Sequence, residues 1–304
     1  MQPILAVGSV AFDSIRTPFG EANRVVGGAA TYFAIAASFF TEVRVVAVVG
    51  EDFGDNADRV FGGRRIDLAG LERVPGETFR WKGEYGFDLN SRETIYTYLN
   101  VFEHFSPKIP HTHRSSPFVF LGNIHPSLQA EVLQQVEQPR LVGADTMNYW
   151  IERTPGELKQ VLKRVDVLLI NDSEARELAG EANLVKAART IQTMGPKTLV
   201  IKRGEHGVLM TRPGGGFFAA PAMPLEEVFD PTGAGDTFAG GFLGYLASCD
   251  AVNGDSLARA IIYGSTLASF AVEDFSCDRL LRLTEAEVRS RFQEFKKLTH
   301  FDVV

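Results

Sequence analysis

The sequence predicts an α/β protein, with a doubly wound, mostly parallel central sheet flanked by helices and a small β-sheet lid. Three observations carry that expectation. From Phe118 onward, short apolar runs alternate with stretches of helical periodicity, as in β–α units that feed a parallel sheet. The runs are apolar throughout rather than at every second position, as strands buried on both faces must be. One stretch, Phe79 to Phe102, breaks that pattern with alternating charged, polar and aromatic residues around Asp88-Leu89-Asn90-Ser91, which suits an exposed hairpin.

Taken in order, Ile4–Val7 reads as the first buried strand, ended by Gly8. Gly27-Gly28 turns the chain into a helix from about Thr31 to Phe40. Val43–Val49 is a second strand, and a helix is expected near Asn56 to Leu68. Phe79–Phe87 and Thr94–Phe102 form the hairpin of the lid, and Pro107 to His113 an irregular connection in which His111 and His113 are solvated. Strands follow at Phe118–Leu121, Arg140–Ala144, Val167–Ile170 and Thr198–Ile201. Helices lie near Ser127–Glu137, Leu158–Lys163, Ser173–Leu178 and Leu184–Met194. His206–Thr211 and Phe217–Ala220 make a late hairpin, and three helices close the chain at about Gly235–Ser248, Asp255–Val272 and Thr284–Leu298. No repeat, low-complexity segment or linker divides residues 1–304. They read as one domain, whose lid comes mainly from 79–102 with part of 13–26.

The totals set bounds. A chain of 304 residues, 45% hydrophobic and 23% charged, can bury a large core without staples. A net charge of −7 offers nothing to nucleic acid or an anionic membrane surface. Cys249 and Cys277 form no CxxC, and read as reduced thiols of a cytoplasmic protein. Residues Met1 to Gly8 lack the basic region of a signal peptide, and the greasy stretch Val25–Phe40 is too short for a membrane span. No GxxxxGK[ST] occurs, and no GxGxxG follows the first strand, which disfavours a P-loop kinase and a dinucleotide oxidoreductase. The histidines show no metal-ligand spacing.

The most informative stretch is Asp230-Pro231-Thr232-Gly233-Ala234-Gly235-Asp236-Thr237-Phe238. Pro231 and three small residues make a tight turn, and an apolar run at helical spacing follows. The first N–H groups of a helix have no internal partner and carry the positive end of its dipole, so this turn suits an anion. Asp236 sits in the first turn, where a carboxylate can take a proton. A base beside an anion cradle is what phosphoryl transfer to a hydroxyl requires. The blander alternative is a capped helix with a flexible lead-in.

This nine-residue run closely resembles the signature of the ribokinase-like (PfkB) family of sugar and nucleoside kinases. The resemblance extends from Asp13 to about Glu273. It implies an ATP-dependent phosphotransferase with Asp236 as general base and the N–H groups of Gly233, Ala234 and Gly235 as anion hole. Asp13 would hydrogen-bond substrate hydroxyls, and Gly27-Gly28 would press backbone against the substrate. Two departures stand out. Ala11 replaces a polar residue, and Tyr32 replaces an asparagine, which argues against simple ribose as substrate. Tyr32, Phe12 and Trp81 could instead wall a ring or base, the alternative being ordinary core.

On the nucleotide side, Asn171-Asp172-Ser173-Glu174 resembles the family's element near magnesium and phosphates, with Glu174 acting on Mg²⁺ through water; its spacing is also that of a capping box. Lys202-Arg203-Gly204-Glu205-His206-Gly207 resembles the glycine turn under the nucleotide. Either Lys202 or Arg203 would face the phosphates, and Gly204 and Gly207 allow close approach. Ser265 lies on the helix that would flank adenine, and the stretch Ala268–Glu273 looks most like the nucleoside kinase branch. Asp230 and Thr232 resemble a monovalent-cation site, for K⁺, that some members have. The resulting expectation is transfer from ATP, with Mg²⁺, to a hydroxymethyl group of a small sugar-like substrate, in a homodimer paired through the lid. The alternatives are a nucleoside kinase acting on inosine, cytidine or adenosine and, further off, a non-catalytic sugar or nucleotide sensor.

Overall fold

The computed structural model describes residues 1–212 and 214–300. Its larger sheet follows from the apolar runs. β1 (Ile4–Val7) sends Ile4 and Ala6 to one face and Leu5 and Val7 to the other, and all four are fully buried. Burying one such side chain is worth ~1.5–3 kcal/mol. A one-residue slip exchanges the two faces, so two packed faces hold the register.

The strands continue with β2 (Ala11–Thr17), β3 (Gly20–Gly27), β4 (Val43–Gly50), β5 (Ile66–Val74), β6 (Phe79–Tyr85) and β7 (Arg92–Tyr98). They end with β8 (Phe118–Leu121), β9 (Leu141–Asp145), β10 (Val167–Asn171), β11 (Thr198–Lys202), β12 (Val208–Thr211) and β13 (Phe217–Ala220). Among the described residues the larger sheet runs β13-β12-β11-β10-β9-β8-β1-β4-β5. All of its pairings are parallel except β11–β12 and β12–β13. The chain winds outward from β1 through β4 to β5, then returns to β8 on the other side of β1. At such a reversal an open sheet usually forms its ligand crevice, here beyond the carboxyl ends of β1 and β8.

Helices cover both faces. α1 (Ala29–Ala37) and α2 (Asn56–Phe61) lie on one, where Phe33 stacks on Phe120 of β8 with ring centroids 4.0 Å apart. α3 (Pro126–Gln135), α4 (Asn148–Arg153), α5 (Pro155–Leu162), α6 (Asp172–Ala179) and α7 (Leu184–Gln192) cover the other. α8 (Ala234–Ser248), α9 (Gly254–Ala271), α10 (Asp278–Leu281) and α11 (Glu285–Thr299) complete the first face. Glycines let α1, α8 and α9 approach closely. A Cβ on Gly244 would lie 2.8 Å from Ala37 Cα, and one on Gly264 2.9 Å from the Phe238 carbonyl.

The smaller sheet, β3-β2-β6-β7, is the expected lid sheet, with a parallel β2–β6 pairing at its centre. Its β6–β7 half is the predicted hairpin, and β2 and β3 supply the part expected from 13–26, although the sequence did not mark them as separate strands. β7 is an edge strand and almost wholly exposed.

Four expectations need correction. The helix begun at Asn56 stops at Phe61, because Gly62-Gly63 break it and Gly63 takes φ +71°. Residues 66–74 then form β5 on the sheet edge, where pairing with β4 overrides helical periodicity. His113 is buried rather than solvated, and its Nε2 lies 3.0 Å from Asp67 Oδ2. The short α4 and α10 were not expected. Among the described residues no helix is long and apolar enough to cross a membrane.

Candidate active site

The turn that leads into α8, read from the sequence as an anion cradle, forms as its sequence requires. Gly233 is the N-cap of α8 at φ +74°, a conformation side chains disfavour, and the Tyr32 ring packs where its Cβ would be. Tyr32 is therefore a support beneath the turn, only 1% exposed, and Phe12 is core as well. Neither forms an aromatic wall. Asp236 lies in the first turn of α8 and is half-buried. Burial pushes its carboxyl up to about 7, with repulsion from Asp145 adding and attraction from Lys202 and Arg92 opposing.

Lys202, not Arg203, faces the turn. A Cβ on Gly235 would lie 3.0 Å from Lys202 Nζ, which donates to Asp145 Oδ2 at 2.9 Å. The lysine loses hydration there, yet Asp145 and Glu174 more than compensate and hold its pKa above the usual range. Asn171 stands beside Lys202 in the sheet register and caps α6. Its Oδ1 accepts the Glu174 N–H at 2.8 Å, and its own N–H donates to Glu174 Oε2 at 2.9 Å. The capping box is thus real, and it also aims Glu174 at the cluster. Burial first, then Asp145, raises Glu174 to about 7.

Asp145 is the residue that sequence reading missed. It ends β9, 7% exposed, with Oδ1 accepting the Thr146 N–H at 2.8 Å. Its only signal was being a carboxylate at the carboxyl end of a buried strand.

On the opposite side, Asp13 is buried against Gly27, whose missing side chain leaves it room, and accepts the N–H of Gly28 at the start of α1. Gly28, at φ +95°, touches Ser9 and Ala11 backbone, so this pair makes space for Asp13. Burial first, then Asp230, pushes Asp13 up to about 7, with Asp236 adding. Trp81 is the register partner of Asp13, on the same face of the smaller sheet and half-buried.

The smaller sheet touches the body across the crevice. Thr232 Oγ1 donates to the Tyr85 hydroxyl at 3.1 Å, and a Cβ on Gly204 would lie 2.8 Å from Asn90 Oδ1. Gly207, at φ +81°, packs against Ala220 and Pro221 backbone. Ser265 is half-buried on α9. Asp230 is fully buried, one oxygen accepting the Thr232 N–H at 2.8 Å and the other the Ser276 N–H at 3.1 Å. It braces the turn, and a cation role for Asp230 and Thr232 rests on resemblance alone.

Among the described residues no group of three or more His, Cys, Asp or Glu is arranged to hold a metal. Glu174 commits one oxygen, Oε2, to its cap.

A winding crevice, an anion turn at a helix start and a carboxylate inside that turn define a phosphotransferase acting on an alcohol. Residues 1–282 match the pfkB family of carbohydrate kinases, and the chain belongs to that family. A cytidine kinase from Thermococcus kodakarensis is 30% identical over 250 residues, covering 80% of this chain and 88% of its own. The fold is shared with a nucleoside kinase from Methanocaldococcus jannaschii, with TM-score 0.77, 19% identity and coverage of 97% and 99% of the two chains. It is shared too with an Escherichia coli protein assigned as a ribokinase II and solved with ATP and Mg²⁺, with TM-score 0.79, 17% identity and coverage of 97% and 100%.

Proposed function

We propose that this sugar or nucleoside kinase transfers phosphate from ATP to the hydroxymethyl group of a ribonucleoside. The observation that carries the reading is Trp81 beside Asp13 on the crevice face. A carboxylate for hydroxyls next to an indole for a flat ring fits a molecule with a sugar and a base. The cytidine kinase relative supports it.

Asp13 orients the acceptor hydroxyls. Asp236 takes the hydroxymethyl proton as that oxygen attacks the γ-phosphorus, and ADP leaves with the electrons of the broken P–O bond. The N–H groups of Gly233, Ala234 and Gly235 and the Lys202 ammonium stabilise the charge that develops. Asn171, Gly204, Gly207 and Ser265 line the nucleotide's path. Mg²⁺ bound with ATP would neutralise phosphate charge, held through water by Glu174. A closed lid excludes water from the reaction.

An ADP-release screen tests the acceptor. Base–aromatic stacking is worth ~1–3 kcal/mol, so cytidine, inosine or adenosine should exceed ribose, fructose and 2-dehydro-3-deoxygluconate in kcat/KM by roughly 10- to 100-fold. A free sugar at the top of the ranking would return the acceptor to the sugar class. Binding without any turnover would favour a sensor.

We also infer a homodimer through the lid. Ile95, Tyr98 and Leu99 are 47%, 55% and 43% exposed on or beside the free edge strand β7, an apolar strip that a second copy would cover. A monomer by light scattering at micromolar concentration would sink this.

A further inference from the structure

We propose that Arg92 is a catalytic arginine, which the smaller sheet holds over the crevice so that its guanidinium takes charge from the γ-phosphoryl group in flight. The inference rests on the kinase reading but not on which acceptor is used.

Register fixes the direction of the side chain. Arg92 of β7 is paired with Tyr85 of β6, so both lie on the face that carries Trp81 and, one strand further, Asp13. Trp81 Nε1 donates to Thr94 Oγ1 at 3.3 Å on that same face. Two contacts then bracket Arg92 over the crevice. Its partner Tyr85 meets Thr232 of the anion turn, and Asn90, two residues before it, meets Gly204 of the nucleotide turn. A guanidinium between those turns stands where phosphates must pass.

Apart from a hydrogen bond to the Tyr85 hydroxyl, its surroundings leave it available. Arg16, Arg24 and Arg80 of the same sheet each pair with a carboxylate, whereas among the described residues Arg92 forms no such pair. It rests over the Trp81 ring, 5.3 Å from the centroid, and is exposed. Asp13, Glu174 and Asp236 all feel its charge. Planar, permanently charged and bidentate, arginine suits a phosphoryl group better than lysine does.

Arg92→Ala and Arg92→Lys should both fold, since the side chain is exposed on an edge strand; matched melting curves verify that. Arginines in this role are worth ~10³–10⁵ in rate, and a solvent-accessible one should still cost Arg92→Ala at least ~10² in kcat, with Arg92→Lys intermediate and partial rescue by guanidinium. Titration calorimetry with Mg²⁺ and no acceptor supplies a second readout. Arg92→Ala should bind ATP roughly tenfold more weakly and ADP unchanged, because only ATP has the phosphate that Arg92 reads. A kcat near wild type, a loss confined to acceptor KM, or equal weakening of ATP and ADP would each overturn the assignment.

Discussion

The two walls of the crevice are built by different means. The body wall consists of strand ends and helix starts, and each working group there is pinned. Lys202 is held by Asp145 at 2.9 Å, Glu174 by its cap at 2.9 Å, and Gly233 by the turn itself. The lid wall consists of Asp13, Trp81, Tyr85 and Arg92, which share a face only because strands pleat with period two. Apart from buried Asp13, it reaches the body through a few side chains, such as Tyr85 onto Thr232. On the proposed function the difference divides the labour: apart from Arg92, the groups that perform transfer sit on the rigid wall, and those that select or enclose the acceptor sit on the wall with little holding it.

Asp236→Asn should separate the walls most sharply. A positioned base is typically worth about 10²–10⁴ in rate, so kcat should fall at least ~10²-fold while nucleotide affinity stays nearly intact. The same variant tests the electrostatics. Asp236 is raised from 3.8 to about 7 by folding, so its contribution to stability is full below the unfolded value and is lost as pH rises through about 7. Asp236→Asn should therefore match wild type in melting temperature near pH 4 and exceed it at pH 8, by about 2 °C for each kcal/mol relieved. An active variant would remove the base from the body wall altogether.

The same division explains what the sequence disclosed. The body wall was legible because its chemistry is local. Asp230–Phe238 packs turn, helix start and acid into nine consecutive residues, and Asn171 with Glu174 spans four. Asp145 escaped because its meaning comes from Lys202, 57 residues away and two strands over in the sheet. On the lid wall, the alternation of Phe79–Phe102 revealed a hairpin. The β2–β6 pairing that sets Trp81 beside Asp13 joins segments more than sixty residues apart, and no local pattern encodes it. Tyr32 was left open between pocket wall and core for a related reason. An aromatic after two glycines looks like a pocket wall until the turn at Gly233, from the far end of the chain, closes over it.

A milder change would show how the body wall tunes its acid. Asp145 pushes both Asp236 and Glu174 upward and binds the lysine that pushes them down. Asp145→Asn keeps the shape but removes the negative charge, and leaves Lys202 free to act on the remaining carboxyls. The acid limb of kcat/KM reports the free enzyme and belongs to the coupled cluster rather than to one residue. In wild type it should lie near pH 7, with activity rising as Asp236 loses its proton. In Asp145→Asn it should move to lower pH by roughly one unit. KM for the acceptor should hold, because Asp13 and Trp81 stand on the other wall. An acid limb that stays in place while KM for ATP rises would mean that Asp145 only orients Lys202. A rise in acceptor KM would mean that the two walls are coupled more tightly than their contacts suggest.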